Sequence, residues 1–119
     1  MDFSELTGKT LQNIEVLEER IVFTLNDGTS YASYHMQECC ESVVISEVIG
    51  DPKTVLGSPI FEAEQLEDSE SNPPVYPDHW TWTKQRLRAA TGEVAFIWLG
   101  ESNGYYGETP YFGLTHEGA

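Results

Sequence analysis

The sequence has little cysteine, little positive charge and no long apolar run. Its 119 residues include 2 Cys and 6 Lys and Arg, and no stretch approaches the roughly 18 apolar residues that span a bilayer. Cys39 and Cys40 are neighbours, and adjacent residues in regular geometry do not reach disulfide distances without strain. The first residues lack the basic and apolar regions of a signal peptide. We therefore expect no disulfide framework and a cytoplasmic protein.

Catalytic signatures are also missing. The glycine-rich segment 98–108 contains no Lys or Arg and carries Glu101 and Glu108, so it does not suit a phosphate-binding loop. With 20 acidic residues, many pairs of carboxylates could be chosen as a catalytic set, so no single pair is evidence of catalysis. We expect a protein that is not an enzyme, with no catalytic residue and no cofactor.

His35, Cys39 and Cys40 form a local cluster of metal-binding residue types. Neighbouring cysteines point to opposite faces of a strand, whereas zinc requires four converging ligands. The adjacent Glu38 and Glu41 disfavour the thiolate that a nucleophile needs. We predict no metal site here and keep a Cys/His metal protein only as an alternative.

The chain has a large excess of acidic residues over basic ones. It contains 20 Asp and Glu, and its formal net charge is −14 at pH 7. Such a field repels nucleic acid and anionic lipid, and it speeds encounter with basic partners. Direct binding of nucleic acid and of membranes is therefore disfavoured, and a basic protein partner is favoured.

The first third of the chain has the pattern of paired strands. Apolar side chains alternate with others at Ile21, Phe23 and Leu25, and the run stops at Asp27-Gly28, which is a strong hairpin signal. We therefore predict an antiparallel meander over residues 10–17, 20–26 and 29–36.

Further strands are predicted downstream, with a buried one at 42–49 and others at 60–65, 80–90, 93–99 and 111–114. Short helical turns are predicted at 4–9, with Ser4 as the cap, and at 51–57, where Asp51 precedes a proline. This pattern indicates one mainly β (or α+β) domain over residues 1–119. We expect a twisted antiparallel sheet that forms a sandwich or a partly open barrel, with one or two short helices.

The segment 66–79 combines three prolines with several carboxylates, and we predict a flexible loop there. No Lys or Arg occurs between Lys53 and Lys84. This acidic tract is either a solvated edge that discourages aggregation or a surface that presents charges to a basic partner. Its candidate partner-binding residues are Glu62, Glu64, Glu67, Asp68 and Glu70.

Tyr105 and Tyr106 lie in the glycine-rich segment that follows Trp98. Binding loops often combine Tyr with Ser, Asn and Gly, because tyrosine supplies contact area at low entropic cost. We add both tyrosines to the candidate partner-binding residues. The alternative is a structured connection whose tyrosines pack back onto the sheet.

A second candidate site uses the basic residues of the chain. Lys84, Arg86 and Arg88 alternate along one strand and should share one face of it. Together with Trp82 and Trp98, they would suit a small-molecule or nucleotide-signal ligand that stacks on aromatic rings.

Two runs of the chain are distinctive, Cys39-Cys40-Glu41-Ser42-Val43 and Gly100-Glu101-Ser102-Asn103-Gly104-Tyr105-Tyr106. In these runs the chain resembles a family of small uncharacterised proteins of phages, prophages and bacterial hosts. Three further stretches share the resemblance, at 49–51, 56–60 and 80–83. The resemblance implies no catalytic residues. It implies a phage context, in which small acidic proteins often occupy a host protein such as a defence nuclease.

The sequence thus favours a non-enzymatic, phage-type inhibitor that works in the host cytoplasm. It would bind a basic host protein, such as a nucleic-acid-binding defence complex, through an acidic surface. The alternatives are the small-molecule binding module and the metal protein described above.

Overall fold

The computed structural model of the protein describes residues 2–36, 41–69, 79–102 and 108–115. In these residues, two four-stranded antiparallel sheets form a sandwich, and the helical elements are two 3-10 turns. The predicted mainly β class is confirmed. The strands are β1 (Leu11–Val16), β2 (Arg20–Leu25), β3 (Ser30–Tyr34), β4 (Glu41–Ile49), β5 (Ile60–Asp68), β6 (His79–Ala89), β7 (Gly92–Ser102) and β8 (Tyr111–Leu114).

Sheet 1 has the strand order β1-β2-β3-β8. Its first three strands form the predicted meander, and the turn between β2 and β3 lies at Asp27-Gly28, as predicted. Gly28 adopts a φ of 92°, which glycine tolerates best. The backbone N–H of Thr29 donates to Oδ1 of Asp27 at 2.9 Å, which fixes the turn.

Sheet 2 has the order β4-β7-β6-β5 and is built around the β6–β7 hairpin, which pairs from His79 opposite Ser102 to Ala89 opposite Gly92. The length of β6 provides a partner for a longer β5 than the sequence indicated. Residues 66–68, predicted to lie in a loop, therefore belong to β5, and Leu66 pairs with Lys84. Residues 70–78 of the predicted loop lie outside the described residues, Ser69 is a bend, and His79, also predicted in the loop, begins β6.

The predicted burial of the fourth strand is wrong. Along β4 only Val43 is buried. Strand β4 is an edge of sheet 2, so its neighbour β7 covers only one side of it. An apolar, β-branched run therefore lies half exposed in this strand.

The two 3-10 turns pack on different strands: the first contacts β5, and the second contacts mainly β7 and β1. The first, Phe3–Leu6, follows Asp2 and buries Phe3 and Leu6, so Ser4 lies inside the turn and is not its cap. The second, Pro52–Val55, begins as predicted after Asp51, whose carboxylate accepts a hydrogen bond from the backbone N–H of Lys53 at 2.9 Å.

The core lies between the inner faces of the two sheets. Phe23 of sheet 1 meets Phe96 of sheet 2 with ring centroids 6.0 Å apart and edge to face. Phe3 of the first turn closes the core by packing on Phe23 and Phe112. In the described part of the chain, no helix is long and apolar enough to cross a membrane.

Candidate binding surface

The side of sheet 2 that faces away from the core carries a broad, uncovered surface, which we call the outer face. Burial alternates strictly along β6, from the inward Thr81 to the inward Ala89, so the residues between them point outward. Register then assigns the rest of the face. Its members are Ser42, Val44, Glu47 and Ile49 of β4, Glu62, Glu64, Leu66 and Asp68 of β5, Trp80, Trp82, Lys84, Arg86 and Arg88 of β6, and Glu93, Ala95, Ile97, Leu99 and Glu101 of β7.

One half of the outer face holds several apolar side chains, with Lys84, Glu47 and Asp68 among them. Leu66 and Ile49, on opposite edges of the sheet, are 54% and 49% exposed. Between them lie the half-buried Ile97, Leu99 and Trp82, beside a shallow depression of 490 Å³. Exposed apolar side chains that are grouped on one face of a sheet typically mark an interaction site.

The other half of the outer face is an ion-pair network. Arg88 contacts Glu62 at 3.0 Å and Glu93 at 3.9 Å. Arg86 contacts Glu62 at 3.4 Å, Glu93 at 3.8 Å and, more closely, Glu64. The hydrogen bond to Glu62 raises the pKa of Arg88 further above its ordinary value. Charges of both signs are thus paired on this half.

The network changes the interpretation of both predicted sites. Glu62 and Glu64, expected as part of a bare acidic tract, are neutralised by Arg86 and Arg88. The same contacts occupy the two arginines of the predicted ligand site. Lys84 lies on the same face and has no ion pair among the described residues.

Trp98 does not join the predicted ligand site. Register places Trp82 opposite Leu99 and Trp98 opposite Thr83, so the two indoles lie on opposite faces of sheet 2. Trp98 is fully buried in the core. The structure brings Trp82 and Lys84 together on the outer face and leaves Trp98 out.

A chain of hydrogen bonds runs from Trp98 to the surface. The indole Nε1 donates to Oε1 of Gln85 at 2.9 Å, and Nε2 of Gln85 donates to Oε1 of Gln65 at 2.9 Å. Nε2 of Gln65 then donates to Oε2 of Glu67 at 3.1 Å. Glu67 therefore lies on the inner side of β5, away from Glu62 and Glu64.

His35, from the predicted metal cluster, forms a buried pair. Its Nε2 lies 3.0 Å from Oε2 of Glu41, and both side chains are almost completely buried. Its Nδ1 lies 3.1 Å from the carbonyl oxygen of Thr109, and its ring stacks on Tyr111. A carbonyl only accepts, so Nδ1 of His35 donates to the carbonyl oxygen of Thr109. This arrangement joins β3, β4 and the segment before β8.

Hydroxyl groups surround a second carboxylate at the same end of sheet 2. Thr81 donates to Oε1 of Glu108 at 2.8 Å, and Ser102 donates to Oε2. Ser69 contacts the Thr81 hydroxyl at 3.0 Å. These bonds satisfy the carboxylate and attach Glu108 to the sheet. No group of three or more metal-ligating side chains occurs in the described ranges.

Several predicted residues lie outside the described residues: Cys39, Cys40, Glu70, Tyr105 and Tyr106. Asp68 is described, at the end of β5 opposite Trp82 on the outer face.

Sequence reasoning missed the exposed apolar side chains of the outer face, the buried Gln85 and the half-buried Gln65. The apolar side chains of the outer face could have been inferred from the run Ile97-Trp98-Leu99, which is apolar on both faces of one strand. A strand of that kind either is covered on both sides or exposes one apolar face. Gln85 gave no such signal, because its partner Trp98 is identified only by the register of β6 and β7.

Residues 4–112 match a family described as a domain of unknown function, DUF7448. No curated protein and no solved structure matches the chain.

Proposed function

The chain belongs to the DUF7448 family, and we propose that it is a non-enzymatic binding protein that docks on a basic partner protein through the outer face of sheet 2. The observation that carries this proposal is the exposure of Leu66 and Ile49 on the same half of the outer face as the half-buried Ile97, Leu99 and Trp82. Burying that surface against a partner would remove it from water, which is the main driving force of association.

The charge of the chain determines which partners fit. With −14 overall, the domain repels acidic proteins and attracts basic ones over about a Debye length. Glu47 and Glu101 lie beside the apolar side chains of the outer face and have no ion pair among the described residues. An apolar centre with a charged rim is the usual composition of a protein interface.

The partner class that fits best is a nucleic-acid-binding protein. Such proteins carry a basic surface for phosphates, and a rigid acidic domain competes for it. The resemblance to phage and prophage proteins supports an inhibitor that occupies a defence complex of the host.

The decisive experiment captures partners from a bacterial lysate at low and at high salt, with wild-type protein and with Leu66→Asp. Leu114→Asp is the matched control, because Leu114 is similarly exposed at 45% but lies on sheet 1. We expect a basic nucleic-acid-binding protein that is retained by wild type and by Leu114→Asp, lost with Leu66→Asp, and displaced by double-stranded DNA. Capture that survives Leu66→Asp and excess DNA would refute the proposal.

A further inference from the structure

We propose that Lys84 is a specificity-determining residue of the outer face, and that it binds a carboxylate side chain of the basic partner. This inference rests on the proposed function and names a group that the partner must supply. In register, Lys84 lies directly opposite Leu66 of β5 and directly opposite Ile97 of β7. It is the one cation on the half of the outer face that holds these apolar side chains, among the residues that the structure describes.

Lys84 differs from the two arginines on the same face of β6. Arg86 lies opposite Glu64 and pairs with it. Arg88 lies opposite Glu62 and pairs with it at 3.0 Å. The neighbours of Lys84 in the same register are apolar, and Lys84 forms no ion pair within the described ranges. Its ammonium group is therefore open to a partner, whereas the two guanidinium groups are already neutralised.

Docking on the outer face changes the environment of this ammonium group. Lys84 is already half-buried, and a partner that covers Leu66 and Ile97 also removes Lys84 from water. Burying a charged group is strongly unfavourable unless the group is paired and hydrogen-bonded. A carboxylate offsets this cost best, because charge-assisted hydrogen bonds are about twice as strong as neutral ones. A partner that fits the outer face therefore presents a carboxylate opposite Lys84.

The net charge of the domain and the charge of Lys84 have different roles. With −14 overall, the domain attracts basic proteins in general and repels polyanions such as nucleic acid. A lysine or arginine of the partner placed opposite Lys84 would be repelled, so a uniformly basic surface docks poorly. The net charge speeds the encounter, while Lys84 selects those basic proteins whose surface carries a carboxylate beside apolar side chains.

The competing explanation is that carboxylates of the domain itself pair with Lys84 when water is excluded. Glu47 and Asp68 line the same depression of 490 Å³ as Lys84. In that case Lys84→Met would strengthen binding of a basic partner, since it makes the face more apolar and removes one positive charge. Our proposal predicts the opposite result, because Lys84→Met leaves the carboxylate of the partner buried without a cation. The sign of the effect distinguishes the two explanations.

The test selects binders from a displayed library of random peptides on the immobilised full chain. Peptides that also bind Leu66→Asp are discarded, so the remaining ones depend on the outer face. We expect these peptides to combine apolar residues with an aspartate or glutamate. In fluorescence anisotropy, Lys84→Met should weaken their binding about tenfold or more, and Lys84→Arg should retain most of it. Replacing the acidic residue of the peptide by its amide should weaken binding to wild type but not to Lys84→Met.

Lys53→Met is the matched control, because Lys53 is exposed on the second 3-10 turn and is not part of the outer face. It should leave peptide binding unchanged, and thermal melting verifies that each variant is folded. Peptides that need Leu66 but contain no acidic residue, or that bind Lys84→Met at least as tightly as wild type, would overturn this inference and leave the proposed function standing. A library that yields no peptide sensitive to Leu66→Asp would refute docking on the outer face, and both proposals with it.

Discussion

The indole Nε1 of Trp98 and the amide of Gln85 are hydrogen-bonded at 2.9 Å in the core, where both side chains are fully buried. A large aromatic ring and a glutamine are both costly to bury without partners. Each satisfies the other here, because β6 and β7 pair in register and place both on the inner face. The polar contact therefore specifies how the two strands align.

The first prediction concerns Gln85→Leu. The substitution preserves apolar volume but leaves the indole N–H of Trp98 and the carbonyl of Gln65 without their partners. We expect a loss of about 2–4 kcal/mol in the free energy of unfolding. Urea denaturation followed by tryptophan fluorescence measures it. Gln12→Leu, at an exposed position of β1, should change stability by less than about 0.5 kcal/mol, and an equal effect of both variants would contradict the assigned role of Gln85.

The local signals in the sequence were sufficient for most of the fold. Asp27-Gly28 identified the first hairpin because the turn chemistry is contained in neighbouring residues. The end of β5 could not be found in the same way, because Leu66 and Glu67 are strand residues only through their pairing with β6. Burial of β4 was overestimated, since an apolar run does not reveal whether a strand lies at a sheet edge.

The candidate site depended even more on long-range pairing. The sequence placed Glu62 in an acidic tract and Arg86 in a basic one, and only the β5–β6 register shows that the two neutralise each other. Trp82 and Trp98 were grouped by residue type, although strand alternation places them on opposite faces. Glu67 was chosen for its charge, while its position comes from Gln65.

The second prediction concerns the buried pair of His35 and Glu41. Glu41→Leu leaves Nε2 of His35 buried without this partner, and we expect a loss of about 3 kcal/mol, as for one member of a buried ion pair. Replacing both residues by leucine should cost less than the sum of the two single variants, because the double variant removes both sides of the His35–Glu41 contact, whereas each single variant leaves one side buried. A double-mutant cycle in urea tests this, and strictly additive losses would show that the contact contributes nothing.

The third prediction is a pH dependence at the first hairpin. The backbone N–H of Thr29, and then its side chain, stabilise the charged carboxylate and lower the pKa of Asp27 below its ordinary value of 3.8. A lowered pKa means stability that is present above the unfolded-state pKa and lost as the pH falls through the folded-state pKa. Carbon-13 NMR titration of the Asp27 carboxyl in native protein and in urea should give the lower midpoint in native protein. Identical midpoints would show that the turn does not favour the carboxylate.

The fourth prediction tests whether Arg86 stabilises the outer face through its charge or through packing of its side chain. Arg86→Met removes contacts to Glu62, Glu64 and Glu93, whose carboxylates then repel each other. We expect a loss of about 1 kcal/mol at low salt, which shrinks at high salt because screening weakens the repulsion. Lys84→Met is the matched control on the same strand face, since Lys84 has no ion pair among the described residues. A loss for Arg86→Met that does not change with salt would indicate packing instead of charge.

The last prediction compares two glycines with nearly the same backbone. Gly28 and Gly50 have φ angles of 92° and 93°, but a Cβ at Gly28 would meet nothing, whereas one at Gly50 would lie 2.7 Å from the carbonyl oxygen of Glu93. Gly28→Ala should therefore cost about 1–2 kcal/mol from backbone strain alone. Gly50→Ala should cost about 1–3 kcal/mol more, because β7 must move to accommodate the added methyl group. Asparagine tolerates positive φ better than alanine, so Gly28→Asn should recover part of the loss in urea denaturation, while Gly50→Asn should not. Equal recovery at both positions would show that backbone strain, and not the contact with Glu93, determines the cost at Gly50.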